Sequence, residues 1–338
     1  MTIKDLAVKT GYAVGTVSRA LNNHPNVSEK ARESILKAAA ECGFELNVNA
    51  KQLKQQHFNT ILVVTKGIGN ELFSEMVESI QHLIAVTHYQ LVVDYLDEDA
   101  NEVIRAVQLC REKKPMGVLF LGGNKSNFAR DFEKIDVPCV LVTNDASDLH
   151  FSNLSSVSTD DVEAARCAVN TLISLGHRKI AIIGGDRTAS DTSCLRYEGC
   201  LRAFREHGIA FDEGRDYRGV RFSCGDGYRA TRDLLAGGGE YTAIFAVADV
   251  MAIGAIRALW EAGKRVPEDI SVMGVDGLPL GPYLIPQLST IRQSAGRMAI
   301  RSVEILLDGI EKGTAACYET VPFEVLERES IRSIGRIE

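Results

Sequence analysis

Residues that could carry out catalysis or bind a metal occur in the chain, but their spacing matches no motif for either. No G-x-S-x-G, Walker loop or H-E-x-x-H occurs. Gly67-Ile68-Gly69 begins like a dinucleotide fingerprint, yet Leu72 stands where the third glycine belongs. No C-x-x-C pair occurs, and no histidine lies at metal-ligand spacing from a cysteine. We therefore expect no enzymatic activity, no cofactor and no metal. The eight cysteines are expected to be small buried residues in a reducing cell: Cys42, Cys110, Cys139, Cys167, Cys194, Cys200, Cys224 and Cys317.

The charge of the chain is divided unevenly between its beginning and the rest. Residues 1–56 hold eight Lys and Arg against five Asp and Glu, a balance of +3. The whole chain has a net charge of −7, so residues 57–338 carry −10. A basic segment attached to an acidic body favours a polyanionic partner for the first segment only.

The basic segment has the pattern of three short helices. Ile3, Leu6, Ala7 and Thr10 fall on one helical face, and Gly11 follows where the chain must turn. A second helix is predicted from about Val14 to Leu21, broken by the turn formers at 22–26. Ser28 is a suitable N-cap for a third helix, which stops at Gly43. Two helices joined by a short turn predict a helix-turn-helix, whose second helix reads the DNA major groove. The alternative is a three-helix cap with no partner.

From Thr60 onward, apolar strand-like runs alternate with amphipathic helical stretches, which predicts parallel sheets covered on both faces. This region has nearly 280 residues, more than a single hydrophobic core usually contains, so two lobes with a cleft between them are expected. The predicted strands are Ile61–Val64, Leu91–Tyr95, Gly117–Leu121, Cys139–Val142, Ile180–Gly184, Ala243–Val247 and Ser271–Val275. The predicted helices are Phe73–Thr87, Glu102–Lys113, Val162–Leu175, Leu195–His207, Tyr228–Leu235 and Met251–Ala262.

No apolar run reaches the ~18 residues that span a bilayer. The first residues, Met1-Thr2-Ile3-Lys4-Asp5, lack the apolar core of a secretory signal. We expect a cytoplasmic protein with no membrane association.

Several motifs occur together in the order typical of one family. The segment from Thr2 to Asn22, TIKDLAVKTGYAVGTVSRALN, resembles the DNA-binding head of the LacI/GalR family of bacterial transcription regulators. The similarity extends over essentially the whole chain. The motifs that carry it are Val27-Ser28-Glu29-Lys30-Ala31-Arg32, Gly43-Phe44, Leu175-Gly176-His177-Arg178-Lys179-Ile180, Arg196-Tyr197-Glu198-Gly199, Met251-Ala252-Ile253-Gly254-Ala255, Val266-Pro267-Glu268-Asp269-Ile270-Ser271-Val272, Leu288-Ser289-Thr290-Ile291-Arg292-Gln293 and Glu327-Arg328-Glu329-Ser330.

The resemblance implies which residues of the head contact DNA. Val14 and Gly15 occupy the two positions that commonly read bases, and Arg19, one turn further, would hydrogen-bond guanine. Arg19 as a phosphate contact or a solvated charge is the alternative. In the hinge, Leu53 aligns with a leucine that wedges into the minor groove beside Ala50, and ordinary packing is its alternative. Phosphate contacts are implied for Thr2, Thr16, Ser18, Asn22 and Ser28.

The hinge departs from the family pattern at three positions. Leu46 stands where proline is usual, Val48 follows Asn47, and Lys51 stands where arginine is common. The hinge is nevertheless expected to fold into a helix, as the resemblance implies.

The same resemblance implies a small effector bound in the cleft between the lobes, often a sugar or nucleobase. The implied contacts are Phe73, Thr143, Asp191, Thr192, Arg196, Phe222, Asp249 and Asp276, and each has an alternative role as a core aromatic or salt-bridge partner. Ala248-Asp249 replaces the frequent Asn-Asp, and Thr143-Asn144 replaces a frequent aspartate. Both departures argue against a copy of the common sugar sites.

The expected architecture is α/β: an all-α helix-turn-helix head and a hinge, then a two-lobe body like periplasmic binding proteins, with parallel sheets flanked by helices. We expect a head at 1–45, a hinge at 46–58 and an effector-binding and dimerisation domain at 59–338. The first lobe would comprise about 59–160 and 292–320, and the second about 161–291 and 321–338.

We expect a homodimer that binds a near-palindromic double-stranded operator and represses transcription under control of the effector. The alternatives are a two-lobe solute-binding protein and a sugar-modifying enzyme. A solute-binding protein would need no DNA-binding head, and an enzyme would need paired acid and base groups in the cleft.

Overall fold

The structure is a computed structural model that describes residues 2–21, 26–42, 59–67, 69–188 and 190–335. The chain divides into two compact units, the first ending at His57 and the second beginning at Phe58. The expected hinge at 46–58, with Ala50 and Leu53, lies outside the described residues, and so does Asn22.

In the described residues of the first unit, the head, there are three helices: α1 (Ile3–Thr10), α2 (Val14–Leu21) and α3 (Glu29–Glu41). Thr2 and Asp5 form a reciprocal capping box at the start of α1. Gly11 ends the helix with φ +73°, a left-handed conformation that favours glycine. Fully buried side chains from all three helices form the core of the head: Leu6, Val17 and Ile35.

The second unit, the body, has two six-stranded sheets, one in each lobe. The strands are β1 (Thr60–Lys66), β2 (Gln90–Leu96), β3 (Gly117–Leu121), β4 (Cys139–Val142), β5 (Leu154–Thr159), β6 (Ile180–Gly184), β7 (Tyr217–Gly219), β8 (Ala243–Ala246), β9 (Ser271–Asp276), β10 (Ser289–Gln293), β11 (Tyr318–Val321) and β12 (Phe323–Leu326). The first sheet has the order β11-β5-β4-β3-β1-β2 and is parallel throughout. The second has the order β12-β10-β9-β8-β6-β7, with only β12 antiparallel.

Helices cover the sheets, and several of them begin after a residue whose side chain caps the first turn. Asn70, Asn101, Asp160, Ser190 and Ser223 each accept a hydrogen bond from a first-turn backbone N–H. The helices of the body are α4 (Glu71–Ala85), α5 (Glu102–Lys113), α6 (Lys125–Asp131), α7 (Asp161–Ser174), α8 (Asp191–Glu206), α9 (Glu213–Asp216), α10 (Cys224–Ala236), α11 (Asp249–Glu261) and α12 (Ala295–Lys312). Short 3₁₀ turns lie at Phe132–Lys134 and Gly281–Tyr283.

The chain passes between the lobes three times. It leaves the first sheet after β5, returns between β10 and α12, and leaves again between β11 and β12. Helix α12 packs on α4 and on β3, β4 and β5, so it belongs to the first lobe. Each lobe is therefore built from segments that are far apart in sequence.

The described part of the chain contains no helix that is both long and apolar enough to cross a membrane.

Candidate functional site: a DNA-reading helix and an inter-lobe cleft

Helix α2 presents an exposed face that carries the expected base-reading residues. Val17 and Ala20 are buried against the head core, which leaves Val14, Gly15 and Arg19 on the outer side. Val14 is 42% exposed, so its side chain is accessible to a partner. The expected phosphate contacts Thr16 and Ser18 are half-buried beside this face.

Arg19 folds back along its own helix. Its Nε donates to the carbonyl oxygen of Gly15 at 3.2 Å. A Cβ at residue 15 would lie 3.7 Å from Arg19 Nη2, an ordinary contact distance, so Gly15 and the guanidinium are neighbours on the exposed face of α2. A guanidinium at this position can give two parallel hydrogen bonds to guanine.

Two further expected DNA contacts lie at helix starts. The Thr2 hydroxyl accepts from the Asp5 N–H at 3.3 Å, and the Thr2 N–H donates to Asp5 Oδ2 at 2.7 Å. Ser28 stands at the N-cap of α3 and is exposed, but its side chain makes no capping hydrogen bond. A hydroxyl placed beside first-turn N–H groups suits a phosphate oxygen.

In the body, a cleft of about 630 Å³ lies between the lobes, where strands of both sheets end. Six of the expected effector contacts line it: Phe73 and Thr143 from the first lobe, and Thr192, Arg196, Phe222 and Asp276 from the second. Ligands bind at this edge of doubly wound sheets because loops after the strands converge there.

Two expected effector contacts, Asp191 and Asp249, do not line the cleft. Asp191 Oδ2 accepts from the backbone N–H of Lys125 at 2.6 Å, which joins the two lobes. Asp249 is completely buried beneath the floor of the cleft. Its Oδ2 accepts from the N–H groups of Gly277 and Leu278 at 2.9 and 2.8 Å, so it holds the chain that follows Asp276.

Two phenyl rings line the cleft, one from each lobe, and each lies against a glycine. A Cβ on Gly122 would come within 2.9 Å of Phe73 Cζ, and one on Gly185 within 2.6 Å of Phe222 Cε2. The missing side chains let both rings lie close to the ends of the strands. Such rings provide apolar surfaces on which a flat or ring-shaped ligand packs.

Arg196 lies on the floor of the cleft inside a cluster of acids. Its Nε donates to Asp161 Oδ1 at 2.7 Å, and its Nη1 donates to the Val247 carbonyl and lies 3.7 Å from Asp276 Oδ1. Both Arg196 and Asp161 are only 4% exposed. Nη2 takes part in none of these contacts, so it can donate to a ligand oxygen.

The acids around Arg196 have raised pKa values because burial disfavours their charged forms. Burial raises the pKa of Asp161, and Arg196 opposes that rise. Burial also raises the pKa of Asp276, against the charge of Arg196. Burial raises the pKa of Asp249, and the negative charge of Asp276 adds to the rise. Asp161 and Asp276 thus share one guanidinium, and Asp249 lies close enough to Asp276 to be affected by its charge.

Asp276 itself has φ +126°, a backbone conformation that non-glycine residues rarely adopt. Its Oδ1 accepts from Gln293 Nε2 at 2.8 Å, and strained residues of this kind concentrate at ligand sites. The strain and the buried hydrogen bond fix the carboxyl group at the cleft wall.

Several residues that line the cleft were not among the expected effector contacts: Asn70, Asn144, Ser190, Arg221 and Gln293. Asn144 Nδ2 reaches across to Thr192 Oγ1 at 3.5 Å. Asn70 and Ser190 are N-caps directly after strand ends, a signal that could have found them. Gln293 ends a recognisable motif, whereas the position of Arg221 has no sequence signal.

Arg221 of the second lobe forms what we call the clasp with Asp97, Glu98 and Asp99 of the first. Nε lies 2.7 Å from Glu98 Oε1, Nη2 lies 2.7 Å from Asp97 Oδ1, and Asp99 is also paired with Nη2. These partners follow β2, so the clasp joins the lobes at the mouth of the cleft. Within the described ranges, no group of three or more His, Cys, Asp or Glu side chains could hold a metal ion.

Comparisons with known proteins agree with both parts of this arrangement. Residues 2–47 match the model of bacterial regulatory proteins of the lacI family, and residues 169–331 match a periplasmic binding protein-like domain. The chain is 35% identical to the HTH-type transcriptional regulator MalR of Clostridium butyricum, over 99% of this chain and 100% of that protein. It is 30% identical to a ribose operon repressor of Haemophilus influenzae, over 98% and 99%. A solved structure of the lac repressor dimer bound to operator and an anti-inducer has 27% identity and a TM-score of 0.76, over 98% and 99%.

A DNA-reading helix-turn-helix joined to a two-lobed ligand cleft defines a transcription regulator controlled by a small molecule. The chain belongs to the LacI family of bacterial regulatory proteins, as its full-length relatives show. The family and the fold class expected from the sequence are confirmed. Neither a solute-binding protein nor a sugar-modifying enzyme accounts for the matched head.

Proposed function

We propose that the protein is a cytoplasmic, dimeric repressor whose hold on its operator is controlled by a polyhydroxylated metabolite bound in the cleft. The observation that carries this proposal is the lining of the cleft, where two phenyl rings accompany hydroxyl, amide, carboxylate and guanidinium groups. Sugars present an apolar ring face and a rim of hydroxyls that both donate and accept hydrogen bonds. The names of the related ribose operon and lac repressors support the same ligand class.

Each cleft residue has a specific role in this proposal. Phe73 and Phe222 pack on the faces of the ligand ring, and Thr143 and Thr192 exchange hydrogen bonds with hydroxyls. Arg196 donates from Nη2, and Asp276 accepts from a ligand hydroxyl. Asp191 and Asp249 act indirectly, since Asp191 joins the lobes and Asp249 supports the Asp276 loop.

The head reads DNA through α2. Arg19 donates to guanine, Val14 contacts a thymine methyl, and Gly15 lies beside them at a base-reading position without a side chain of its own. Phosphate contacts come from Thr2, Thr16, Ser18, Asn22 and Ser28, and the hinge adds Ala50 and the minor-groove wedge Leu53. Two heads read a near-palindromic site, and the operator-bound dimer of the related lac repressor supports this arrangement. Operator binding places the protein where the chromosome is, in the cytoplasm.

Effector control requires that the ligand prefer one arrangement of the lobes. The residues that line the cleft come from both lobes, so a ligand that contacts both stabilises the arrangement in which they face each other. Three chain crossings and the clasp connect the lobes, so a ligand that binds one lobe also affects the position of the other.

The test uses the full-length protein and its own genome. Sheared genomic DNA is selected on the immobilised protein, and enriched fragments are then titrated by fluorescence anisotropy with and without a panel of sugars. We expect one or a few near-palindromic sites, whose affinity changes at least tenfold with one sugar. Arg19→Ala serves as a control that should bind the selected site more weakly. Enrichment equal to bulk DNA, under all conditions, would contradict the proposal.

A further inference from the structure

The charges that line the cleft are strongly unbalanced. Three cations contribute to its wall: Lys66, Arg196 and Arg221. Six carboxyl groups contribute as well: Asp97, Glu98, Asp99, Asp186, Asp226 and Asp276. The charge of Asp226 is offset by a cation outside the lining, Arg229 on its own helix. A cleft with an excess of one charge concentrates ligands of the opposite charge and repels those of the same charge.

All three of these cations are already paired with carboxylates of the protein. Lys66 Nζ lies 2.9 Å from Oε2 of Glu102, which is fully buried. Glu102 also accepts from the Asn124 N–H at 2.7 Å, so it is held in place beneath the cleft. Arg221 is held in the clasp by three acids.

Arg196 is the cation that a ligand acid would be expected to meet, but its charge is also compensated. Asp161 and Asp276 flank it, and the Val247 carbonyl takes another of its N–H groups. A carboxylate or phosphate on the ligand would lose its water shell and find each guanidinium or ammonium group already neutralised. A neutral hydroxyl could still accept from Nη2 and donate to Asp276 at no such cost.

We infer that the cleft selects an uncharged or positively charged polyhydroxylated effector and rejects sugars that carry a carboxylate or a phosphate. This inference rests on the proposed function, because it narrows the ligand class of the same cleft. It nevertheless concerns the electrostatic potential of the cleft, which can be measured without knowing the effector.

The first experiment measures that potential with a cysteine introduced at Gly69. A Cβ at this lining residue meets nothing within 4 Å, so Gly69→Cys leaves the cleft wall undisturbed. The full-length variant is treated with two methanethiosulfonate reagents, one with a trimethylammonium group and one with a sulfonate group. The thiolate displaces methanesulfinate from either reagent and forms a mixed disulfide, which peptide mass spectrometry distinguishes from products at the native cysteines.

The ratio of the two rates reports the potential, because any effect on the thiol itself changes both rates equally. We expect the rate with the cationic reagent, divided by the rate with the anionic reagent, to be about tenfold higher at the introduced thiol than on a short cysteine peptide in ~0.1 M salt. A matched variant adds Asp97→Asn and Asp99→Asn, two exposed changes that leave Glu98 to pair with Arg221. In this variant the ratio of the cationic to the anionic rate should be several-fold lower than in Gly69→Cys alone. Equal ratios at the introduced thiol and on the peptide would overturn the inference.

The second experiment identifies the ligand class directly. The full-length protein on its selected operator is exposed to matched sets of sugars, each with its uronic acid, its 6-phosphate and its 2-amino derivative. We expect responses only from neutral or amino members, and a uronic acid or phosphate that acts where its neutral counterpart does not would refute the inference. If no member of any set changes operator binding, a sugar effector is contradicted, while the reagent ratio still decides the charge of the cleft.

Discussion

The buried carboxyl group of Asp249 should make the body less stable as the pH rises, and replacing it with asparagine should remove that loss. Asp249 is fully buried, and its Oδ1 has no hydrogen-bond partner among the described residues. Burial raises its pKa, and the charge of Asp276 raises it further. Asp249→Asn keeps an oxygen to accept from Gly277 and Leu278 and places an amide N–H₂ where Oδ1 lacks a partner.

The direction of the effect follows from proton binding. An unfolded aspartate releases its proton near pH 4, whereas the folded protein holds the Asp249 proton to a higher pH. The contribution of Asp249 to the free energy of unfolding is therefore fully present below about pH 4 and is lost as the pH rises through the pKa of the folded state. Each pH unit in that window costs up to about 1.4 kcal/mol. Between pH 5 and 8 we expect the variant to gain about 1–2 kcal/mol relative to the natural chain, since coupling to Asp276 spreads the titration.

Urea unfolding of both proteins, at fixed protein concentration and at several pH values, measures this difference. The concentration must be fixed because association with a second copy would add to the apparent stability. Asp233→Asn, on the exposed side of α10, serves as the control and should track the natural chain at every pH. A stability difference between Asp249→Asn and the natural chain that stays constant from pH 5 to 8 would refute the account of a protonated buried acid.

Three further predictions concern the reading helix, the clasp and the contact between α10 and α11. Arg19→Ala should weaken binding to the selected operator by about 1–3 kcal/mol and relax one base position, as measured by anisotropy with single-base operator variants; equal weakening on random DNA would mean a phosphate contact. Arg221→Gln should raise the effector concentration needed for half-maximal response about fivefold, an effect that shrinks at high salt, whereas Arg229→Gln, whose partner Asp226 lies on the same helix, should not. Gly254→Ala should lower stability by about 2–3 kcal/mol, because its Cβ would lie 2.0 Å from the Cys224 carbonyl oxygen. Gly225→Ala should be neutral or stabilising, since its Cβ would meet only Arg229 Nη1 at 3.7 Å and Ser223 Oγ at 3.9 Å; thermal unfolding of both variants decides between these outcomes.

The apolar runs of the sequence predict the central strands well, because a parallel strand covered on both faces must be apolar throughout. β1, β3, β4 and β6 lie where they were expected. β5 was not predicted, since its sequence, LSSVST, is half serine. Two of its buried serines form hydrogen bonds with segments outside the strand. Ser155 Oγ accepts from the Cys317 N–H at 3.0 Å, and Ser156 Oγ accepts from the Ala146 N–H at 3.0 Å. Such partners are invisible to a local pattern.

Helix starts were predicted too late wherever the first turn was polar. α8 begins at Asp191 rather than Leu195, and α10 begins at Cys224 rather than Tyr228. In both cases a serine caps the true first turn, at Ser190 and Ser223. Attention to capping residues would have moved both boundaries.

The cleft was predictable from the sequence in outline but not in its electrostatics. Family motifs place Phe73, Arg196 and Asp276 near one another, and the structure brings all three to one cleft. The partners that neutralise Arg196 come from α7, β9 and the residue that follows β8, which spacing along the chain does not relate. The clasp joins residues more than 120 positions apart. Charge balance in a site is set by tertiary contacts, so it requires a structure.

The interleaving of the two lobes along the chain determines what an incomplete protein can do. The head has its own core and is finished within the first 57 residues, whereas the first lobe lacks its edge strand until Val321 has been synthesised. A ribosome that stops late in the message therefore releases a product with a folded head and an unfinished first lobe. Because the body is expected both to bind the effector and to pair two copies, truncation near the carboxyl terminus should leave single heads, which bind half-sites weakly and no longer respond to the effector.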